Sequence, residues 1–575
     1  MMMSEMQVRS NPGEGRILSR ACLMFSLLLP FAAAGQPVVA HRHMAATANP
    51  LATRAAVDVL NEGGTAIDAA IAGQMVLAVV EPQSSGLGGG SILMVWTAKD
   101  RALAFYEGLA SAPAAVPVDY AHQTDGSAIP LVELERSGRV VAVPGTLKTM
   151  AMVHAQHGRL PWPRLFRDAV ALAQTGFAMP NYLHGVLMER KDLAGKPAFA
   201  AYFGPDGKPL PAGTMLRNPA LAETLRRVAE QGADALSTGA IAADIVAAVA
   251  QGPLPGSITV ADLGAYQPRQ RPPVCIDAFG RRICSAAPPV AGGVALLQQL
   301  AILDRLHIGS QPPGSVGAAH LMLEASRLTQ ADRRRFIGDP DQVQVPTAGL
   351  LDPGYLDGRA RLVRPDRAME RVAPGTPAAS HAALPGSDPA TVPATTHLSI
   401  VDDDGNAVSF TTTINLNFGA DILVDGIVLN NAITNFATRP VVDGVAAANA
   451  AAPGKRPVTT MAPTIVFGAD GRPELVVGAG GGARIIDSVA QTILGVLAWH
   501  MDVRTAIEQP RIGAQNNAQE LERNTAAAGL ADALRAMGHT PKIGPMNAGV
   551  QAIAIGPDGL QGWGDPHRDG VALGD

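Results

Sequence analysis

Cysteine is scarce, with three in 575 residues and none in a Cys/His cluster, so no zinc site is predicted. No long run of lysine or arginine occurs and the formal net charge is only -5. That leaves a nucleic-acid partner without an electrostatic footprint and makes a small molecule or peptide the default partner. Apolar runs long enough to cross a bilayer are also lacking, because Gly, Pro or charge breaks each of them. The longest near the start, Ala21 to Phe31, follows Arg16 and Arg20 and leads into Ala32, Ala33, Ala34 and Gly35. That order is a secretory leader over residues 1–34, shorter than the roughly 20 residues of a span. Export, to the periplasm or to the outside, is the expectation.

What remains is long enough for several domains or one large layered fold. Leu51 to Val80 reads as Ala-rich helix interrupted at Gly63-Gly64, then Glu81-Pro82 and the Gly86–Gly90 stretch lead into an apolar strand, Ile92 to Trp96. Ala373 to Ala394, rich in Pro, Ala and Ser, reads as a mobile linker. Cys275 and Cys284 flank a turn signal. A turn at Phe279-Gly280 sets them opposite each other, ready to pair in an oxidising compartment, whereas a bulge at Gly280 sets them out of register.

After the linker the texture is that of strands. Thr395 to Val401 and Asn406 to Asn417 alternate around Asp403-Asp404-Gly405. A three-residue loop with a left-handed glycine pairs Leu398 with Phe410 and Ile400 with Val408, a coherent apolar face, whereas a two-residue turn mixes the faces. The first register puts Thr413 opposite Thr395, with Asn415 on the same polar face. A threonine hydroxyl is a weak nucleophile without a base beside it. The amine of the same residue serves once the preceding bond is cut, since an α-amine titrates near pH 8 and is partly neutral in the working range.

At this point the chain resembles the gamma-glutamyltransferase family of N-terminal-nucleophile hydrolases, from about Met44 to the C-terminus. The resemblance is carried by NEGGTAIDAAIA from Asn61, EPQSSGLGGG ending at Gly90, VPGT from Val143 and DRRRFIGDPD ending at Asp341. It continues with TTHLSIVDDDGNAVSFTTTINLNFG from Thr395, KRPVTTMAPTI from Lys455, GAGGGARII from Gly478 and DPHRDG from Asp565. The resemblance implies an α/β (α+β) fold, the four-layer αββα sandwich. It implies a precursor cut at Ala394-Thr395 into residues 35–394 and 395–575, which form one intertwined fold. Thr395 is then the nucleophile of an acyl-enzyme and Thr413 its hydrogen-bonding partner. The N–H groups of Gly481 and Gly482 meet the oxyanion. Thr459 and Thr460 stand where two serines hold the substrate carboxylate, and Asn415 matches an asparagine near it. No metal or organic cofactor is implied.

The glutamyl grip departs from that pattern. Leu109 replaces the arginine that holds the glutamyl carboxylate, Ala432 and Asn435 replace a glutamine and an aspartate that receive its amine, and the lid between Phe436 and Lys455 is shortened. The expected activity is hydrolysis or transfer of gamma-glutamyl or related acyl groups, and an acylase of other amides, like the cephalosporin-acylase branch, is the alternative that fits these departures. Rival readings are a catalytically silent family member and, more remotely, an oxidoreductase, since Gly478 to Ala483 satisfies a dinucleotide fingerprint. Asp402 to Asp404 reads as a solvated turn, and His397 as a hydrogen-bonded structural residue. Asp565, Arg568 and Asp569 read as a charged structural network.

Overall fold

The computed structural model describes residues 36–379, 394–442, 444–515 and 518–575. The predicted leader, residues 1–34, and residues 380–393 of the predicted linker lie outside the described residues. The start of that linker departs from the expectation of a mobile segment. Arg359 donates to the Ala373 carbonyl and the Gly375 N–H donates to Asp332, so this stretch is bonded to the body of the protein.

Pro37–Asp575 forms one compact unit. Two seven-stranded sheets lie face to face. One runs in the order Val571–Gly574, Met44–Thr47, Thr396–Val401, Ala407–Thr413, Gly90–Thr97, Ala102–Gly108, Arg269–Arg271. The other runs Val38–Ala40, Gly559–Gly564, Gly549–Gly556, Pro473–Gly480, Thr464–Phe467, Arg281–Ser285, Val274–Ala278. Each sheet takes strands from both sides of Ala394-Thr395, so neither is complete without residues on both sides of that bond.

Local signals explain the flanking helices. Asn49 caps Pro50–Asn61, with proline at its first position, and Thr65 and Asp68 form a capping box on Ala66–Val80. These two helices cover the apolar face of the first sheet, where Leu398, Ile400, Val408 and Phe410 are fully buried in their cluster. Ala291–Arg305, Val316–Phe336 and Arg484–Leu497 cover the second sheet through a separate cluster. The result is the αββα sandwich.

The nucleophile hairpin has the expected register: Thr396 pairs with Thr412, Leu398 with Phe410 and Ile400 with Val408. Gly405 is left-handed at φ 78°, closing the three-residue loop, and Asp402 takes up N–H groups from Asp404, Asn406 and Ala66. The Phe279-Gly280 turn forms with both residues at positive φ, so Cys275 and Cys284 face each other in register and are joined. The glycine fingerprint at 478–483 has the wrong setting for a dinucleotide. Its strand extends to Gly480 and is antiparallel to both neighbours, whereas that motif needs a parallel βαβ unit.

Candidate active site

Thr395 sits where the first sheet meets the glycine end of the second. Its Oγ1 lies 2.8 Å from Thr413 Oγ1. Thr413 Oγ1 also accepts the Asn415 N–H at 2.8 Å, which leaves its own proton available to the Thr395 oxygen. The backbone of Thr395 is fixed on both sides. Its N–H donates to the Ser84 carbonyl at 3.1 Å, and its carbonyl accepts from the Arg568 guanidinium. Its φ is 104°, a region that a β-branched residue avoids, at a cost of about 1–3 kcal/mol. The strain therefore falls on the residue that follows the Ala394-Thr395 bond.

Gly480 packs directly on this residue: a Cβ there would lie 2.0 Å from the Thr395 carbonyl oxygen. The next two residues, Gly481 and Gly482, leave the strand at φ 145° and 61° and precede the helix Arg484–Leu497. Among the described residues neither of their N–H groups has an internal acceptor. Free donors at the start of a helix favour negative charge, which suits a developing oxyanion. Gly89 plays the corresponding steric part under the second threonine, since a Cβ there would meet the Thr413 carbonyl at 2.1 Å.

The outer residues differ in part from expectation. Thr460 donates its hydroxyl proton to the Gly482 carbonyl at 2.9 Å, so it braces the glycine pair, while Thr459 Oγ1 accepts the Met461 N–H and keeps its proton. Asn415 spends its amide nitrogen on Asn431 and Thr434. The atom it has left to offer is Oδ1, an acceptor, which suits an N–H or ammonium rather than the expected carboxylate. Asn435 takes part through its carbonyl, which accepts from Asn449 at 2.6 Å.

Leu109 is buried in the apolar cluster, with its N–H on Glu107 and its carbonyl on the Tyr266 hydroxyl. Ala432 is likewise buried, among Tyr120, Ile433 and Phe436. Sequence reasoning missed the ion pair beneath Leu109, where the buried Glu107 meets Arg456 at 2.9 Å and Arg271 at 3.4 Å. The signal lay in the KRPV block, whose arginine has a charge to bury.

His397 lies on the inter-sheet face, bonded to Thr411 at 2.8 Å and Ser399 at 3.1 Å. Burial pushes it down to about 3, so it is a neutral structural group. Arg511 and His567 hold Asp565 at 2.6 Å each, and the neighbouring Arg568 braces the Thr395 carbonyl. That last contact links two residues 173 positions apart and gives no local signal in the sequence.

The family model described as gamma-glutamyltranspeptidase matches residues 52–575. A glutathione hydrolase proenzyme from Bacillus subtilis is 35% identical over 542 residues, which cover 92% of this chain and 91% of that protein. An acylase proenzyme from a Pseudomonas species is 34% identical over 548 residues, 94% of each. Among solved structures, a cephalosporin acylase from Bacillus halodurans superposes with a TM-score of 0.81 at 26% identity, covering 96% of this chain and 99% of its own. With matches that run the length of the sandwich and include the residues gathered around Thr395, the chain belongs to the gamma-glutamyltranspeptidase family.

Proposed function

We propose that this chain is an exported precursor that cuts itself between Ala394 and Thr395 and then works as an amide hydrolase and acyltransferase. The observation that carries the reading is the 2.8 Å contact between the Thr395 and Thr413 hydroxyls, on a nucleophile whose φ of 104° stores strain at the bond to be cut. The Thr395 hydroxyl attacks the Ala394 carbonyl carbon, the amide becomes an ester, and water releases residues 395–575 with a free α-amine. That amine then takes the hydroxyl proton as Thr395 attacks the substrate carbonyl. Thr413 donates to the attacking oxygen, and the Gly481 and Gly482 N–H groups receive the oxyanion. The acyl-enzyme passes its acyl group to water or to an amine, and none of these steps calls on a metal or organic cofactor.

For the acyl group, a specific feature favours amides other than strict gamma-glutamyl ones: Leu109 and Ala432 are both apolar and buried, each in its own cluster. Losing a carboxylate clamp and an ammonium acceptor removes about 3–6 kcal/mol of glutamyl binding, roughly two to four orders of magnitude in selectivity. The test is the intact mass of the purified protein beside a Thr395→Ala variant. The native chain is expected in two pieces meeting at Ala394/Thr395 and the variant in one. A native chain that stays whole under folding conditions sinks the reading and leaves a silent member of the family.

A further inference from the structure

Glu81 is the group near the nucleophile that this mechanism leaves unused. It ends the helix Ala66–Val80, is fully buried, and among the described residues no charged group is hydrogen-bonded to either carboxyl oxygen. The hydroxyls of Ser84 and Thr396 lie beside it, equally buried, and are the neutral groups that can donate to its carboxyl. Both polar atoms of the nearby Gln83 side-chain amide are without a hydrogen-bond partner among the described residues. A buried carboxyl flanked by hydroxyls is costly to ionise without a cation against it, so its charged form calls for a partner that the uncut chain does not place there.

The surroundings say what that partner is. The Glu81 carbonyl accepts the Ser84 N–H at 2.9 Å, and the Ser84 carbonyl accepts the Thr395 N–H at 3.1 Å, so one turn separates Glu81 from the nucleophile's α-nitrogen. The charged or titratable groups facing the carboxyl are Arg568, Asp569 and Tyr182, while the nucleophile strand presents only the Thr396 hydroxyl. Arg568 does not quench the carboxyl, because its donors go to the Thr395 and Asn547 carbonyls and its plane lies 4.7 Å over the Tyr182 ring. In the uncut chain burial outweighs Arg568 and pushes Glu81 up to about 8, so it is largely protonated at neutral pH.

Cutting changes the charge at one atom: the Thr395 amide nitrogen, which carries no charge, becomes an amine that gains one whenever it takes a proton. We propose that Glu81 is the positioning residue for that amine, a carboxylate that pairs with the Thr395 α-ammonium and raises the basicity of the amine. On cleavage the Glu81 proton passes to the amine, COOH and NH2 becoming carboxylate and ammonium, with no net gain or loss. Above the pKa of that ammonium its proton is released to solvent water, the amine accepts the hydroxyl proton as Thr395 attacks, and Glu81 stabilises the ammonium that reforms. The inference rests on the proposed role of the Thr395 amine as base.

The test is kcat/KM against pH on the cut enzyme, with an anilide that the wild type turns over, for wild type, Glu81→Asp and Glu81→Gln. Intact mass is recorded for each. Without the carboxylate the amine is a weaker base, so in Glu81→Gln the acid limb moves down by about one pH unit and the plateau falls. Glu81→Asp, whose carboxylate stands one methylene further off, lies between the two and carries the test alone should the Gln variant fail to fold. A limb that stays in place, whatever the plateau does, overturns the proposal, and so does a folded Glu81→Gln chain that stays uncut, because the residue acts on an amine that exists only after cutting. A wild-type chain that stays whole is a different failure, that of the Thr395 reading itself.

Discussion

The two halves of the site are built differently. Around the Ala394-Thr395 bond the residues are held in place: Thr395 between Ser84 and Arg568, Thr413 by the Asn415 N–H, Gly482 through its carbonyl by Thr460. In the half proposed to grip the acyl group, the arginine and aspartate of the glutamyl pattern give way to Leu109 and Asn435. The short hairpin of Val441–Val442 with Val445–Ala446 leaves Val441 54% exposed. Bond cutting needs atoms held to a fraction of an ångström across two sheets, whereas selectivity is set by a few side chains and a loop that change without disturbing that frame.

The largest effect should come from disturbing the rigid half. Gly480→Ala puts a Cβ 2.0 Å from the Thr395 carbonyl oxygen, closer than any atom tolerates, so the two sheets must shift apart. Self-cutting is expected to fall by at least a hundredfold and thermal stability to drop by about 1–3 kcal/mol, read by intact mass over time and by calorimetry. A variant that cuts at the native rate would show that the frame is looser than this geometry implies.

The adaptable half should respond in selectivity rather than in cutting. Leu109→Arg places a guanidinium where the gamma-glutamyltransferase pattern has one, beside the Glu107 carboxylate that already receives the Leu109 N–H. Self-cutting is expected to stay complete, while kcat/KM for a gamma-glutamyl anilide rises about 10- to 100-fold relative to an uncharged acyl anilide. An unchanged ratio in a folded, fully cut variant would take the choice of acyl group away from this position.

The same division decides what could be read from the sequence. The hairpin register followed from the alternation of Leu398, Ile400, Val408 and Phe410, and it brought Thr413 to Thr395, because strand pairing across a tight turn is local. The two Ala-rich helices were legible from their composition and the Gly63-Gly64 break, while the turn signal at Phe279-Gly280 left two registers for the cysteines, of which the structure has the in-register one. Arg568 on the Thr395 carbonyl, Gly480 beneath it and the unpaired Glu81 were not, since each depends on how distant segments close together. Asn415 was placed correctly, but which atom it presents is settled by Asn431 and Thr434, sixteen and nineteen residues away.

The smallest effect concerns the charged support under the rigid half. His567 bonds Asp565 at 2.6 Å and Glu522 at 3.1 Å, and these two carboxylates raise it to about 10 from an ordinary value near 6.5. A raised folded-state value means that the folded chain holds the proton more tightly than the unfolded one. The stabilisation is therefore fully present below pH 6.5 and is lost as the pH climbs toward about 10. Because the side chain is 40% exposed, solvent screens the pair and its worth is about 1 kcal/mol, or about 2 °C in Tm. Wild type and His567→Gln should thus differ in Tm by that amount at pH 6 and converge at pH 10, whereas a pH-independent difference would mean that packing, not charge, is what His567 contributes. Since Asp565 also holds Arg511 and lies three residues before Arg568, the loss of this proton should reach the carbonyl of Thr395 before it reaches Leu109. Self-cutting is therefore expected to slow above pH 9 in wild type while the ratio of acyl substrates stays constant.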